Sequence, residues 1–147
     1  MAEKIKLELV TPYKRVLSEE VDEVTAPGTI GEFGVLPDHT SLLTTMKVGE
    51  LSYKQDGQTF YVAVNWGYVE VEDNVMTVLV ETAEPADQID VERAKAAMGR
   101  AEEALKKLSS EDKDFKIMEA ALMRALIRVQ VAGKKTPLID DTNRNTL

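Results

Sequence analysis

Apolar and polar residues along this chain follow two periods. From Ile5 to about Glu81 the period is two: Ile5, Leu7 and Leu9 alternate with Lys6 and Glu8, the pattern of a strand with one face buried. Turn signals break the pattern at short intervals, at Pro27-Gly28, Gly31, Gly34 and Pro37-Asp38. Asp56-Gly57 separates the apolar runs 51–55 and 59–65, and Asp73-Asn74 separates 68–72 and 75–81. Both are hairpin signals, because tight two-residue turns need residues that accept positive φ. Counting the runs predicts an antiparallel β-sandwich or barrel of about eight to ten strands.

After Glu84-Pro85 the period changes. Val91, Ala94, Met98, Ala101, Leu105 and Leu108 recur at three- and four-residue steps, as do Phe115, Met118, Leu122, Ala125, Val129 and Ala132. These are two amphipathic helices, joined by a polar turn over 109–114. Asp90 stands where an N-cap belongs, ready to accept from the N–H of Glu92 or Arg93. Lys134-Lys135 place positive charge at the negative end of the second helix. Ala94, Ala97, Ala101 and Ala104 allow the two backbones to approach closely, whereas Gly99 costs about 1 kcal/mol against alanine. The helices predict an antiparallel hairpin. The chain thus divides into a β-domain over 1–84, a helical hairpin over 85–135 and a polar, turn-rich tail over 136–147, read as flexible.

Composition narrows the function. Apolar residues are 44% of the 147 residues and charged residues 30%, enough for a packed core and a wet surface. No apolar run approaches the ~18 residues of a membrane helix, and MAEKIKLELV resembles neither a secretory signal nor a transit peptide. The expectation is a protein that works in the compartment where it is made. A net charge of -8 argues against nucleic acid, whose phosphates need a basic partner. Cysteine is absent and His39 is the single histidine, which removes thiolate chemistry and His- or Cys-built metal sites. No GxSxG elbow or Walker-type loop occurs. The chain reads as non-catalytic by itself, with no required cofactor and with protein partners.

Two features invite chemistry. Gly28, Gly31 and Gly34 crowd the stretch 26–44, but no helix follows to hold a phosphate, so they read as turns, and His39 reads as a loop hydrogen-bonder. The arginines are the other feature. Arg93 and Arg100 share a stripe of the first helix, and Arg124 and Arg128 share one of the second. Closing the hairpin about residue 111 or 112 lets the four guanidinium groups converge on an anion, for which Arg's planar fork is suited. Spacing alone leaves a plain alternative, salt bridges to Glu92, Glu103 and Glu119 on solvent-facing stripes.

Three segments, GEFGVLPDHTSLLT, GYVEVEDNVMTVL and IDVERAKAA, resemble the epsilon subunits of bacterial and plastid F-type ATP synthases. The resemblance runs from about Lys4 to Ala132, in the family's order. It implies a rotor subunit of the central stalk whose sandwich binds the gamma subunit and the polar loops of the membrane c-ring. It implies a hairpin that either folds on the sandwich or extends toward the catalytic alpha and beta subunits, where it inhibits ATP hydrolysis. The ring contact it implies falls on Glu32 and on Asp38, His39, Thr40 and Ser41, two loops expected at one end of the sandwich. Some family members bind ATP through an I-D-x-x-R-A motif, matched here by Ile89, Asp90, Arg93 and Ala94. Glu84, Arg100, Arg124 and Arg128 also fall on matching positions, making ATP a regulatory ligand with Ile89-Asp90 near the nucleoside. Two positions depart: Ile117 stands where an arginine can occur, and Trp66 interrupts a run of small residues. With no transit peptide, the resemblance implies a peripheral protein on the cytoplasmic face of a bacterial inner membrane, attached only through its complex and serving proton-coupled ATP synthesis. The rival readings are a free-standing ATP-binding regulatory module and, nearly excluded by the residue inventory, a hydrolase.

Overall fold

The computed structural model describes residues 3–134. Lys135 and the tail expected over 136–147 lie outside them. Ten strands come first: β1 (Ile5–Val10), β2 (Arg15–Val21), β3 (Glu23–Pro27), β4 (Glu32–Val35), β5 (Leu42–Met46), β6 (Gly49–Gln55), β7 (Gln58–Val64), β8 (Gly67–Glu72), β9 (Val75–Val80) and β10 (Ala83–Pro85). They form two five-stranded sheets, ordered β2-β1-β9-β8-β5 and β10-β7-β6-β3-β4. A short 3-10 turn over Ala86–Gln88 leads to α1 (Val91–Lys106) and α2 (Lys113–Ala132).

Period-two alternation becomes a core between the sheets. Ile5, Leu7 and Leu9 of β1 are fully buried and pack in one cluster with Val69, Val71, Met76 and Val78 of the same sheet and with Val24, Leu51, Val62 and Val64 of the other. Each such side chain contributes roughly 1.5–3 kcal/mol on burial, which makes the sandwich the stable part of the molecule. Both expected hairpins form. Asp56 and Gly57 have φ of 51° and 85°, and Asp73 and Asn74 have 50° and 63°, the positive pair that suits the right-handed twist of the flanking strands. One pairing is not antiparallel: β1 runs parallel to β9, with Leu7 beside Met76 and Leu9 beside Val78. Alternation fixes which face of a strand is buried, not the direction of its neighbour.

The hairpin lies against the outer face of the second sheet. This explains why Val62, Ala63 and Val64 are all buried although they are consecutive in a strand. Ala63 points outward into a second cluster with Ala86, Ile89, Ala94, Val131 and Ala132. The boundary expected at residue 84 falls inside β10, where Glu84 sits opposite Ala63 of β7. Asp90 caps α1 as its position predicts, its carboxylate accepting from the Arg93 N–H at 3.0 Å. Buried Ala94, Ala101 and Ala125 let the helices pack closely. Leu108, expected to continue the stripe of the first helix, lies beyond its end at Lys106, where its N–H donates to the Leu105 carbonyl at 3.2 Å just before the turn that Ser109 and Asp112 close.

Candidate functional site

A cleft of about 870 Å³ opens between the hairpin and the sandwich, a size typical of small-molecule sites, ~300–1,000 Å³. Its apolar lining comes from Ala97 and Ala101 of α1, Met118, Ala121 and Ala125 of α2, and Ala63 and Val64 of β7. Arg93 and Arg100 enter from α1, Arg124 and Arg128 from α2, and Glu84 and Gln88 from the segment joining the domains. The four arginines singled out by their spacing therefore border one space. They do so because α1 and α2 pack antiparallel along their alanine seam.

Their electrostatic states differ. Arg128 is held: its Nε donates to Glu84 Oε1 at 2.6 Å and its Nη2 to Oε2 at 3.3 Å. Among the described residues the side chains of Arg93, Arg100 and Arg124 have no ion pair or hydrogen bond. The salt bridges weighed as the plain alternative do not form. Glu103 pairs instead with Lys106, at 3.1 Å. Three uncommitted guanidinium groups beside one apolar cleft are an arrangement that an anion would stabilise.

The remaining residues of the expected ATP site stand behind this surface. Ile89 is buried in the second cluster, Ala94 is fully buried, and the Asp90 carboxylate is engaged in capping α1. None of the three lines the cleft. They set the start of α1 and thereby the position of Arg93. Ile117, 57% exposed, also stands apart from the lining.

The two expected ring-contact loops do not share an end of the sandwich. The turn before Glu32 runs beside the last residues of β5, where the Thr29 N–H donates to the Thr45 carbonyl and Gly28 bridges Met46. Asp38–Ser41 precedes the other end of β5 and is fastened to the β8–β9 turn, the Asp38 N–H donating to Asn74 Oδ1 at 2.8 Å. The length of β5 separates them, roughly 16 Å at strand rise. Glu32, Asp38, Thr40 and Ser41 are exposed. His39 is half-buried, and its Nδ1–H donates to the Thr40 carbonyl at 2.7 Å, the loop role its sequence position suggested. No group of acidic or histidine side chains among the described residues is arranged to hold a metal.

One surface escaped the sequence reading. Tyr68 and Leu79 are cross-strand partners on the outer face of the first sheet, 53% and 49% exposed, with Trp66 and Leu43 also exposed. The signal was present: Tyr68, Leu79 and Leu43 are apolar residues in the solvent phase of their strands.

Comparison with known proteins follows the same division into sandwich and helices. Residues 4–86 match the family described as ATP synthase, Delta/Epsilon chain, beta-sandwich domain, and residues 87–133 match ATP synthase, Delta/Epsilon chain, long alpha-helix domain. The chain belongs to the ATP synthase delta/epsilon family. The ATP synthase epsilon chain of Geobacter sulfurreducens is 70% identical over 134 residues, covering 91% of this chain and 97% of that protein. That of Geotalea daltonii is 71% identical over the same shares. Among solved structures, a chain in the cryo-EM structure of the Euglena gracilis mitochondrial ATP synthase, OSCP/F1/c-ring, superimposes with a TM-score of 0.75 at 25% identity, covering 90% of this chain and 82% of that one. A chain in the central stalk/c-ring structure of the Tetrahymena thermophila mitochondrial ATP synthase shares the fold, with a TM-score of 0.55 at 17% identity. The family is one of ATP synthase subunits, not of enzymes active by themselves.

Proposed function

We propose that this protein is an epsilon-type rotor subunit in the central stalk of a proton-translocating F-type ATP synthase, peripheral on the cytoplasmic face of a bacterial inner membrane. Its sandwich joins the gamma subunit to the c-ring. Its hairpin restrains ATP hydrolysis when extended toward the alpha and beta subunits, and ATP binds the docked hairpin. Family membership supports the rotor reading. The apolar outer face around Tyr68 and Leu79 suits a protein partner such as gamma. The turn carrying Ile30, 101% exposed, and Glu32 suits the ring. Because Asp38–Ser41 lies at the opposite end, it is assigned no part in the same contact.

The observation that carries the regulatory reading is the cleft, whose walls belong to both the hairpin and the sandwich. Extension of the hairpin takes one wall away, so an anion bound there has differential affinity for the docked state and shifts the balance toward it. Bound ATP would thereby favour the state that permits hydrolysis. Calorimetry on the isolated subunit tests this directly. ATP binding is expected, with loss in Arg93→Ala and Arg124→Ala; no heat at millimolar ATP would refute the sensing. Recovery of the large ATP synthase subunits with this protein from solubilised membranes tests the rotor reading separately.

A further inference from the structure

One wall of the cleft belongs neither to the hairpin nor to the segment that joins it to the sandwich. It is the turn between β1 and β2, whose Thr11, Tyr13 and Lys14 line the same space as the arginines. The backbone of this turn is fixed by its own bonds. The Thr11 N–H donates to the Lys14 carbonyl at 3.0 Å. The Tyr13 and Lys14 N–H groups both donate to Thr11 Oγ1, at 3.2 and 3.3 Å. The side chain of Lys14 takes no part in these bonds. Among the described residues its ammonium has no ion pair.

We propose that Lys14 is a ligand of the polyphosphate in this cleft, and that its charge, fixed to the sandwich, adds to the preference of the anion for the docked state. The proposal rests on the reading of the cleft as a nucleotide site. Arg93, Arg100, Arg124 and Arg128 all belong to the hairpin and travel with it. Contacts confined to the hairpin do not by themselves distinguish a hairpin on the sandwich from the same hairpin off it. A ligand with equal affinity for two states shifts nothing. Glu84, which the cleft also contains, is an anion and is matched to Arg128. Lys14 is the lining residue with a positive charge fixed to the sandwich. A polyphosphate held by Arg93, Arg100 and Arg124 on one side and Lys14 on the other bridges the two domains, and that bridge is lost on extension.

The test uses the full-length subunit and two probes, ATP and inorganic tripolyphosphate, titrated calorimetrically. Lys14→Gln is expected to weaken both by about tenfold or more, the size of a charge-assisted hydrogen bond, while Lys14→Arg keeps most of the affinity. In hydrogen exchange, ATP should slow α2 amides in the wild type and in Lys14→Arg. In Lys14→Gln saturating ATP should slow them distinctly less. Unchanged thermal melting of the variants would show that the turn is intact, since its bonds use Thr11 and the backbone. If Lys14→Gln binds and protects like the wild type while Arg124→Ala does not bind, the role of Lys14 is refuted and the nucleotide site stands. If the wild type takes up neither probe, the nucleotide reading fails and this inference fails with it.

Discussion

Arg128 on α2 grips both carboxylate oxygens of Glu84 on β10, through Nε at 2.6 Å and Nη2 at 3.3 Å. The pair joins the two domains and is half-buried, with 25% and 36% of the side chains exposed. A second pair, Lys134 with Glu50 of β6 at 2.8 Å, fastens the chain just past the C-terminal end of the same helix, and Lys134 also lies over the Tyr61 ring. The close contact with the Glu50 carboxylate raises the Lys134 pKa above its ordinary 10.5. Its contribution to docking is therefore complete at neutral pH and is lost only as pH rises through the raised value.

Glu84→Gln should loosen the hairpin without unfolding the sandwich. A bidentate but partly exposed pair is worth about 1 kcal/mol after solvent screening, so the undocked population should rise about fivefold. Hydrogen exchange of α2 amides would read this change. Equal protection in the variant and the wild type would show that the apolar cluster alone holds the hairpin.

A fragment of residues 1–86 should fold cooperatively by itself. The core cluster between the sheets contains no helical residue, and the last strand ends at Pro85. Removing the helices uncovers Tyr61 and Ala63, which lowers solubility more than it lowers the stability of the core. A single denaturant transition with native strand content is expected; a molten or unfolded fragment would show that the hairpin is part of the folding unit.

Two glycines should respond in opposite directions to alanine. A Cβ at Gly99 meets nothing within 4 Å, so Gly99→Ala should strengthen α1 by about 1 kcal/mol, seen as slower exchange of its amides. A Cβ at Gly67 would press on the Leu79 carbonyl and come within 2.8 Å of the Val80 Cα. Gly67→Ala should cost roughly 1–3 kcal/mol through forced backbone movement, measurable as a lower melting temperature. A neutral Gly67→Ala would mean that β8 and β9 can separate without loss.

The order of elements was legible in the sequence because each element carries its own period. Alternation in Ile5–Leu9 marked β1, Asp56-Gly57 and Asp73-Asn74 marked the hairpins, and Asp90 marked the start of α1. These are interactions between near neighbours, and spacing records them. The arginine stripes were legible for the same reason, since residues seven or four apart on a helix share a face. What shares a space across the chain was not legible. The parallel pairing of β1 with β9, the opposite placement of Glu32 and Asp38–Ser41, the grip of Glu84 on Arg128 and the entry of Lys14 into the cleft all join segments with no common period. Only packing of the hairpin on β7 decided which of four equivalent-looking arginines is neutralised and which three remain available.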